Sequence, residues 1–354
     1  MNLRISVGIF FCILTMFFSC TPKQNEDMQV FDWSDFPVPI TLKGDSVAFD
    51  EMLMKPVRVA VVDSFLLLKN SDVERFFHVY NIKTQKKVGE RIPFGIGPKE
   101  MLDPMWIFIS EDTLGVLDRN KRIMDIYPDH RLLISDTVSP VRRISFKELL
   151  VNPVCLPGVG ILSFTFQSEE HKFVLFDLEG NRLSYFGDYP NAYKNSTVYE
   201  KSIAFAGDIA VKPDGGRWVM SHKAMDMIEI YDSNLTLLNR IQGPDGIFPK
   251  IKEANGRIHR EGVSKEGYFF PVVTDECIYV LYDGREYDVE NPSRYLRDKL
   301  LVFDWNGKPV KYYQLSEGIF HFDIDEENGI LYGITDYPEF HVVSFSLVGF
   351  DSVN

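Results

Sequence analysis

The chain has 354 residues with 38 basic and 51 acidic side chains, giving a formal net charge of −13. With 45% apolar and 25% charged residues it has the balance of a folded globular protein, which excludes a disordered or collagen-like chain. The acidic excess argues against nucleic acid as a partner, because phosphate binding needs a basic footprint, and the length allows two ordinary domains or one large all-β domain.

The first element in chain order is an export signal. Arg4 precedes the apolar run Ile5–Phe18, which is followed by Ser19, Cys20 and the polar stretch Thr21–Asp27. A positive start, a short apolar core and a small residue before the cut mark residues 1–19 as a secretory signal peptide. The run falls short of the about 20 apolar residues that span a bilayer. The later stretch Tyr268–Tyr282 is interrupted by Pro271, Asp275 and Glu276. A cysteine directly after the small residue resembles a bacterial lipobox, with Phe17 in place of the usual aliphatic residue. That resemblance implies cleavage before Cys20, its diacylation, and firm attachment to a membrane in the cell envelope. Thr21, rather than an inner-membrane-retaining aspartate, points to the outer membrane. Residues 20–35 then read as a lipidated tether and 36–354 as the folded body. Cys155 and Cys277 remain there, expected as two separate buried thiols.

The body is organised by internal repeats. Val79-Tyr80-Asn81-Ile82, Asp125-Ile126-Tyr127, Leu175-Phe176-Asp177-Leu178, Ile230-Tyr231-Asp232, Val302-Phe303-Asp304-Trp305 and Val343-Ser344-Phe345-Ser346 form one recurring strand. Several copies run into turns such as Glu179-Gly180-Asn181 or Asn306-Gly307-Lys308, the chemistry of tight hairpins. Further hairpins lie upstream, at Lys212–Arg217 and Asp325–Gly329. Helical periodicity is nearly absent, with at most one turn at Phe146–Leu150. Short β-branched and aromatic strands in units of roughly 40–70 residues predict a six-bladed β-propeller. The last unit supplies three strands, Phe320–Ile324, Ile330–Thr335 and Val342–Leu347. An N-terminal strand, expected at Val38–Leu42, completes it and closes the ring, removing exposed sheet edges.

Between the first two units, Gly95-Ile96-Gly97-Pro98-Lys99-Glu100 resembles the G-x-G-P-x-E signature of the bacterial TolB-like six-bladed β-propeller lipoproteins, with a faint echo at Gln242-Gly243-Pro244-Asp245. The resemblance covers essentially the whole body and implies fold and address far more than activity. The residues Gly95, Gly97, Pro98 and Glu100 themselves read as a structural loop: two glycines, a stiffening proline, and a carboxylate able to accept backbone N–H groups. They are not a phosphate cradle, because no Gly-Lys-Ser/Thr opens a helix there.

Motifs for chemistry are sparse. Gly262-Val263-Ser264-Lys265-Glu266 lacks the last glycine of a nucleophile elbow, and no paired zinc-ligand motif occurs. His321, Asp323 and Asp325 alternate onto one strand face, yet Asp325 reads as the opener of the Asn328-Gly329 turn, so neither metal nor cofactor is implied. The remaining candidates lie on three long connections. Phe186–Asp208 offers Tyr189 and Tyr193, Gln242–Gly267 offers Arg257 and His259, and Tyr282–Asp298 offers Arg285 and Tyr287. Tyrosines suit stacking on sugars or burial against protein, and arginines suit carboxylates. Two functions fit. One is binding of a protein or glycan partner without catalysis, which expects an exposed aromatic patch. The other is a hydrolase or lyase acting on an acidic carbohydrate, which expects histidine, arginine and acids with shifted pKa values at the channel mouth.

Overall fold

The computed structural model describes residues 28–348 apart from 72, 111, 129, 136, 191, 192, 194, 250, 255, 256, 261–264 and 287–294, with backbone only for 131, 251–254 and 257–260. Three short strands come first: β1 (Met28–Val30), β2 (Ile40–Leu42) and β3 (Gly44–Ser46). The first sheet is then β4 (Pro56–Val62), β5 (Phe65–Asn70), β6 (Arg75–Asn81) and β7 (Lys87–Pro93). The second is β8 (Pro104–Ser110), β9 (Thr113–Asp118), β10 (Ile123–Pro128) and β11 (Arg142–Ser145), with the helical turn α1 (Arg131–Ile134) between its last two strands. The third is β12 (Val151–Leu156), β13 (Gly160–Phe164), β14 (His171–Phe176) and β15 (Arg182–Asp188). After the helix α2 (Val198–Ala204) the fourth follows: β16 (Gly207–Val211), β17 (Arg217–His222), β18 (Met227–Asp232) and β19 (Leu237–Gln242). A separate hairpin, β20 (Ile251–Ala254) and β21 (Arg257–Arg260), leads to the fifth sheet of β22 (Tyr268–Val273), β23 (Cys277–Tyr282), β24 (Arg297–Asp304) and β25 (Pro309–Ile319). The sixth is β26 (His321–Asp325), β27 (Ile330–Thr335) and β28 (His341–Ser346), completed by β3.

This is the expected six-bladed propeller, each blade an antiparallel meander. The recurring aromatics Tyr80, Tyr127, Phe176, Tyr231, Phe303 and Phe345 each sit on the third strand of a different blade, all buried. They are buried because every sheet is apolar on both faces, so neither face can be left to water. Six apolar clusters fill the six spaces between successive blades. One joins Val79 of the first blade to Val116 of the second; the last joins Tyr332 and Ile334 of the sixth back to Leu66 and Tyr80 of the first. Cys155 and Cys277 are free buried thiols, as expected.

One interblade space also holds charge. Lys172 on β14 donates to Glu229 on β18 at 2.6 Å, and His222 and Arg240 meet the same carboxylate at 3.2 and 2.8 Å. Burial alone would raise the Glu229 carboxyl, but Lys172, His222 and Arg240 hold it well below the ordinary range. Such a network fixes the register of blades three and four; losing one member strands a buried charge, at about 3–5 kcal/mol.

Closure differs from the expectation in one strand. Val38–Leu42 does not complete the last blade. Ile40–Leu42 instead pairs in parallel with β25, Ile40 opposite Tyr313, as a fifth strand of blade five. The closing strand is β3, antiparallel to β28 with Gly44 opposite Phe345. The physical reason is room. A Cβ at residue 44 would stand 2.5 Å from Val343 Cγ2 and 2.9 Å from the Phe345 ring, so only glycine lets the strand approach. Upstream, β1 lies parallel to β19. Between β1 and β2, Phe31 and Phe36 set their rings edge-on to Phe303 at 5.4 and 5.5 Å. Met28–Asp35, within the stretch expected as tether, are therefore packed on blades four and five. The N-terminal segment runs as a strap around the outer edges of blades four, five and six.

Gly44→Val is expected to lift the closing strand and cost about 1–3 kcal/mol in a denaturant melt, whereas Asp45→Ala, on the same strand but exposed, should leave the midpoint unchanged.

Candidate functional site

Each blade's first strand lines the central channel, and the strands of a blade alternate in direction. The segments that lead into first strands and those that join second to third strands therefore emerge on one face. That face carries the Gly95–Glu100 loop, the α2 segment, the β20–β21 hairpin and the excursion after β23; the α1 segment between β10 and β11 joins a third strand to a fourth and emerges on the opposite face. The channel encloses about 720 Å³.

At the mouth on this face the starts of the first strands bring polar side chains together. Asp208 on β16 accepts from Asn152 Nδ2 on β12 at 3.0 Å, from Lys223 Nζ at 3.0 Å, and from the Phe270 backbone N–H on β22 at 3.2 Å. One carboxylate thus ties three successive blades. Asn152 and Phe270 sit at positive φ (46° and 51°) beside irregularities in their strands. This left-handed backbone is uncommon for asparagine and an outlier for a bulky residue. It sets the Phe270 ring 4.6 Å from the His321 ring and beneath Lys223 Nζ at 5.1 Å.

His321 Nδ1 accepts from the Val59 backbone N–H at 3.4 Å, which leaves Nε2 as the protonated nitrogen. Burial, then Arg58 and Lys223, push this imidazole well below its ordinary value, so it is neutral at pH 7. Arg58 on β4 also lines the channel, half-buried. Burial pushes its guanidinium down against the pull of Asp208, with Arg119 beside it adding repulsion and Asp103 attraction. Among the described residues Arg58 makes no hydrogen bond or ion pair. Lys69 and Arg119, by contrast, both engage Asp103, Lys69 at 2.8 Å. The mouth therefore gathers Arg58, Lys69, Arg119 and Lys223 around two carboxylates, cationic on a chain of charge −13.

The opposite end is acidic. Asp323 accepts from the Val61 and Ile324 backbone N–H groups at 2.8 and 2.9 Å, and burial pushes its carboxyl up to about 7. Burial, then Asp275, also raises Glu326. Asp325 does not join them; it caps the following turn, accepting from the Asn328 N–H at 3.0 Å.

The described residues among those expected from sequence do not form one cluster. Tyr189 and Tyr193 pack edge-on to Phe205 at 5.2 and 4.9 Å, in the core between blades three and four. Arg257 and His259 lie on β21. Arg285 clamps Asp283 with two hydrogen bonds of 2.8 and 3.0 Å and donates to the Leu296 carbonyl. Tyr287 and Cys20 lie outside the described residues. In the family-signature loop, Glu100 accepts from the Gly97 N–H at 2.8 Å, while Lys121 and Arg143 hold the Glu100 and Pro98 carbonyls at 2.7 and 2.8 Å. Gly95 has φ +152°, and a Cβ there would meet Glu100 Oε2 at 2.0 Å, so the loop needs its first glycine.

Sequence reasoning missed Arg58, Asn152, Asp208, Lys223 and Phe270. They are isolated in sequence and converge only through the ring. The α2 helix had a legible signal, since Thr197 and Glu200 form a reciprocal capping box.

Asp323 generates a pH dependence. Its folded-state value lies above the ordinary 3.8, so the native state holds the proton more tightly than the unfolded chain. Its contribution to stability is therefore lost as pH rises from about 4 through 7. Asp323→Asn should flatten the fall in melting temperature between pH 5 and pH 8; an unchanged slope would exclude Asp323 as its source.

Comparison with known proteins agrees with this architecture. Residues 35–327 match the family described as TolB-like 6-blade propeller-like. Among curated proteins, none matches the chain. Two solved structures share the fold. A member of the DUF4221 family from Bacteroides vulgatus aligns with TM-score 0.57 at 12% identity, covering 87% of this chain and 96% of that one. A protein described as exported, from Bacteroides fragilis, aligns with TM-score 0.54 at 11% identity, covering 90% and 98%. The channel, the six blades and the matched span together place this chain in the TolB-like six-bladed β-propeller family.

Proposed function

We propose that this protein is a lipid-anchored binding protein of the cell envelope, holding a protein or glycan partner on its loop-bearing face without catalysing a reaction. The observation that carries this reading is the convergence on one face of the Gly95–Glu100 loop, the α2 segment, the hairpin whose sequence holds Arg257 and His259, the start of the excursion at Arg285, and the cationic mouth. The same face exposes Phe94 (58%), just before the family-signature loop, and Ile96 (85%) within it, the apolar contact area a partner would cover. The signal over 1–19, the lipobox-like Cys20 and the fold shared with a protein described as exported support the envelope address. The outer membrane is the proposed site, with Cys20 carrying the lipid.

A second reading has its own observation. Arg58, neutral His321 and Asp208 stand at the channel mouth, the groups a hydrolase or lyase would need on an acidic carbohydrate.

Two measurements test these readings. Cys20→Ser should move the protein from the membrane fraction to the soluble envelope fraction; retention at the membrane would remove the lipid anchor from the proposal. Affinity capture of the tagged full chain from its native envelope should return a saturable protein or glycan partner, reduced at least fivefold by Arg257→Ala with His259→Ala. Release of new sugar ends from acidic oligosaccharides by the purified protein would replace the binding reading with the enzymatic one.

A further inference from the structure

We infer that the channel mouth is a receptor for the carboxylate of a small acidic sugar, with Arg58 as its principal donor and Lys223 and His321 Nε2–H beside it. This rests on the binding reading and names the ligand's chemistry.

A guanidinium has five donors and cannot shed its charge, yet among the described residues Arg58 satisfies none of them with protein. Its neighbours are deliberately placed otherwise: Lys223 and Asn152 are both spent on Asp208, and Lys69 and Arg119 on Asp103. Among the described residues Arg58 is the cation of the mouth left without such a partner, and it faces a cavity of about 720 Å³. That volume suits a small molecule rather than a folded partner, within the roughly 300–1,000 Å³ of ligand pockets.

Charge decides how anionic the ligand is. Asp208 at the mouth and Asp323 and Glu326 at the far end would repel a polyanion entering the channel. One carboxylate at Arg58, with an uncharged remainder extending inward, satisfies both ends. Bidentate pairing with carboxylate is the geometry a free guanidinium favours. The remainder meets aromatic faces. Phe270 is held at the mouth by its positive φ, and Phe108, although on a first strand, keeps 42% of its surface exposed. Aromatic faces stack on the C–H faces of sugar rings, and the acidic far end accepts hydrogen bonds from hydroxyl groups. A peptide carboxylate shares only the first of these features.

The experiment is calorimetric titration of the full chain in detergent with methyl β-D-glucuronide, its neutral twin methyl β-D-glucoside, and the acid and amide forms of N-acetyl-glycylglycine. The glucuronide should bind and the glucoside should not. Arg58→Gln should weaken binding roughly tenfold to a hundredfold without lowering the melting temperature, because no protein hydrogen bond or ion pair is lost, and Arg58→Lys should retain part of the affinity. Equal binding of both glycosides, or wild-type affinity in Arg58→Gln, overturns the inference. Binding of the peptide acid without the glucuronide overturns the sugar assignment. Failure of the envelope capture alone leaves this titration independent, since the capture reads the rim and the titration reads the channel.

Discussion

Everything in this molecule depends on each sheet having two apolar faces. A sheet apolar on one side can stop at water, but these cannot, so every blade needs a neighbour on both sides. Six interblade clusters are the result, and the set is satisfied only when the sixth blade meets the first. The closing contact, Tyr332 and Ile334 against Leu66 and Tyr80, is thus as necessary as any within a blade. The strap serves the same demand at the rim, where Phe31 and Phe36 cover the gap between blades four and five.

The ring also makes the site. First strands cannot pack their inner edges on one another across the axis, so a channel is unavoidable, and its lining comes from residues some 50 positions apart. Asp208 shows how the chain uses that arrangement: it draws donors from blades three, four and five and so is both a clamp and a wall of the mouth. Arg58 stands outside this pairing. At a mouth where the neighbouring cations are matched to Asp208 and Asp103, a cation left over is more informative than any motif.

How much of this was legible in the sequence follows from the range of each interaction. The third-strand aromatics and the Gly/Asn turns are local, and they located all six blades. The lone glycines of the family loop were legible for the same reason, since Glu100 reaches only three residues back. The closing strand was misplaced because Gly44-Asp45-Ser46 has no β-branched or aromatic residue; it is a strand by virtue of Val343 and Phe345, about 300 residues away. The mouth was illegible for a related reason. Nothing in the neighbourhood of Asn152 or Phe270 announces a left-handed backbone, which is imposed by contacts across blades.

The strap has a mechanical consequence. Because β1, β2 and β3 lie on three successive blades in chain order, tension on the N-terminus loads them one at a time. The parallel pairing of β1 with β19 yields first, then that of β2 with β25, and only then the strand that holds the ring shut. With Cys20 anchored as proposed, a pull would lengthen the attachment of the body in two steps while all six blades keep their four strands, so the same segment that seals the propeller would also work as an extensible leash.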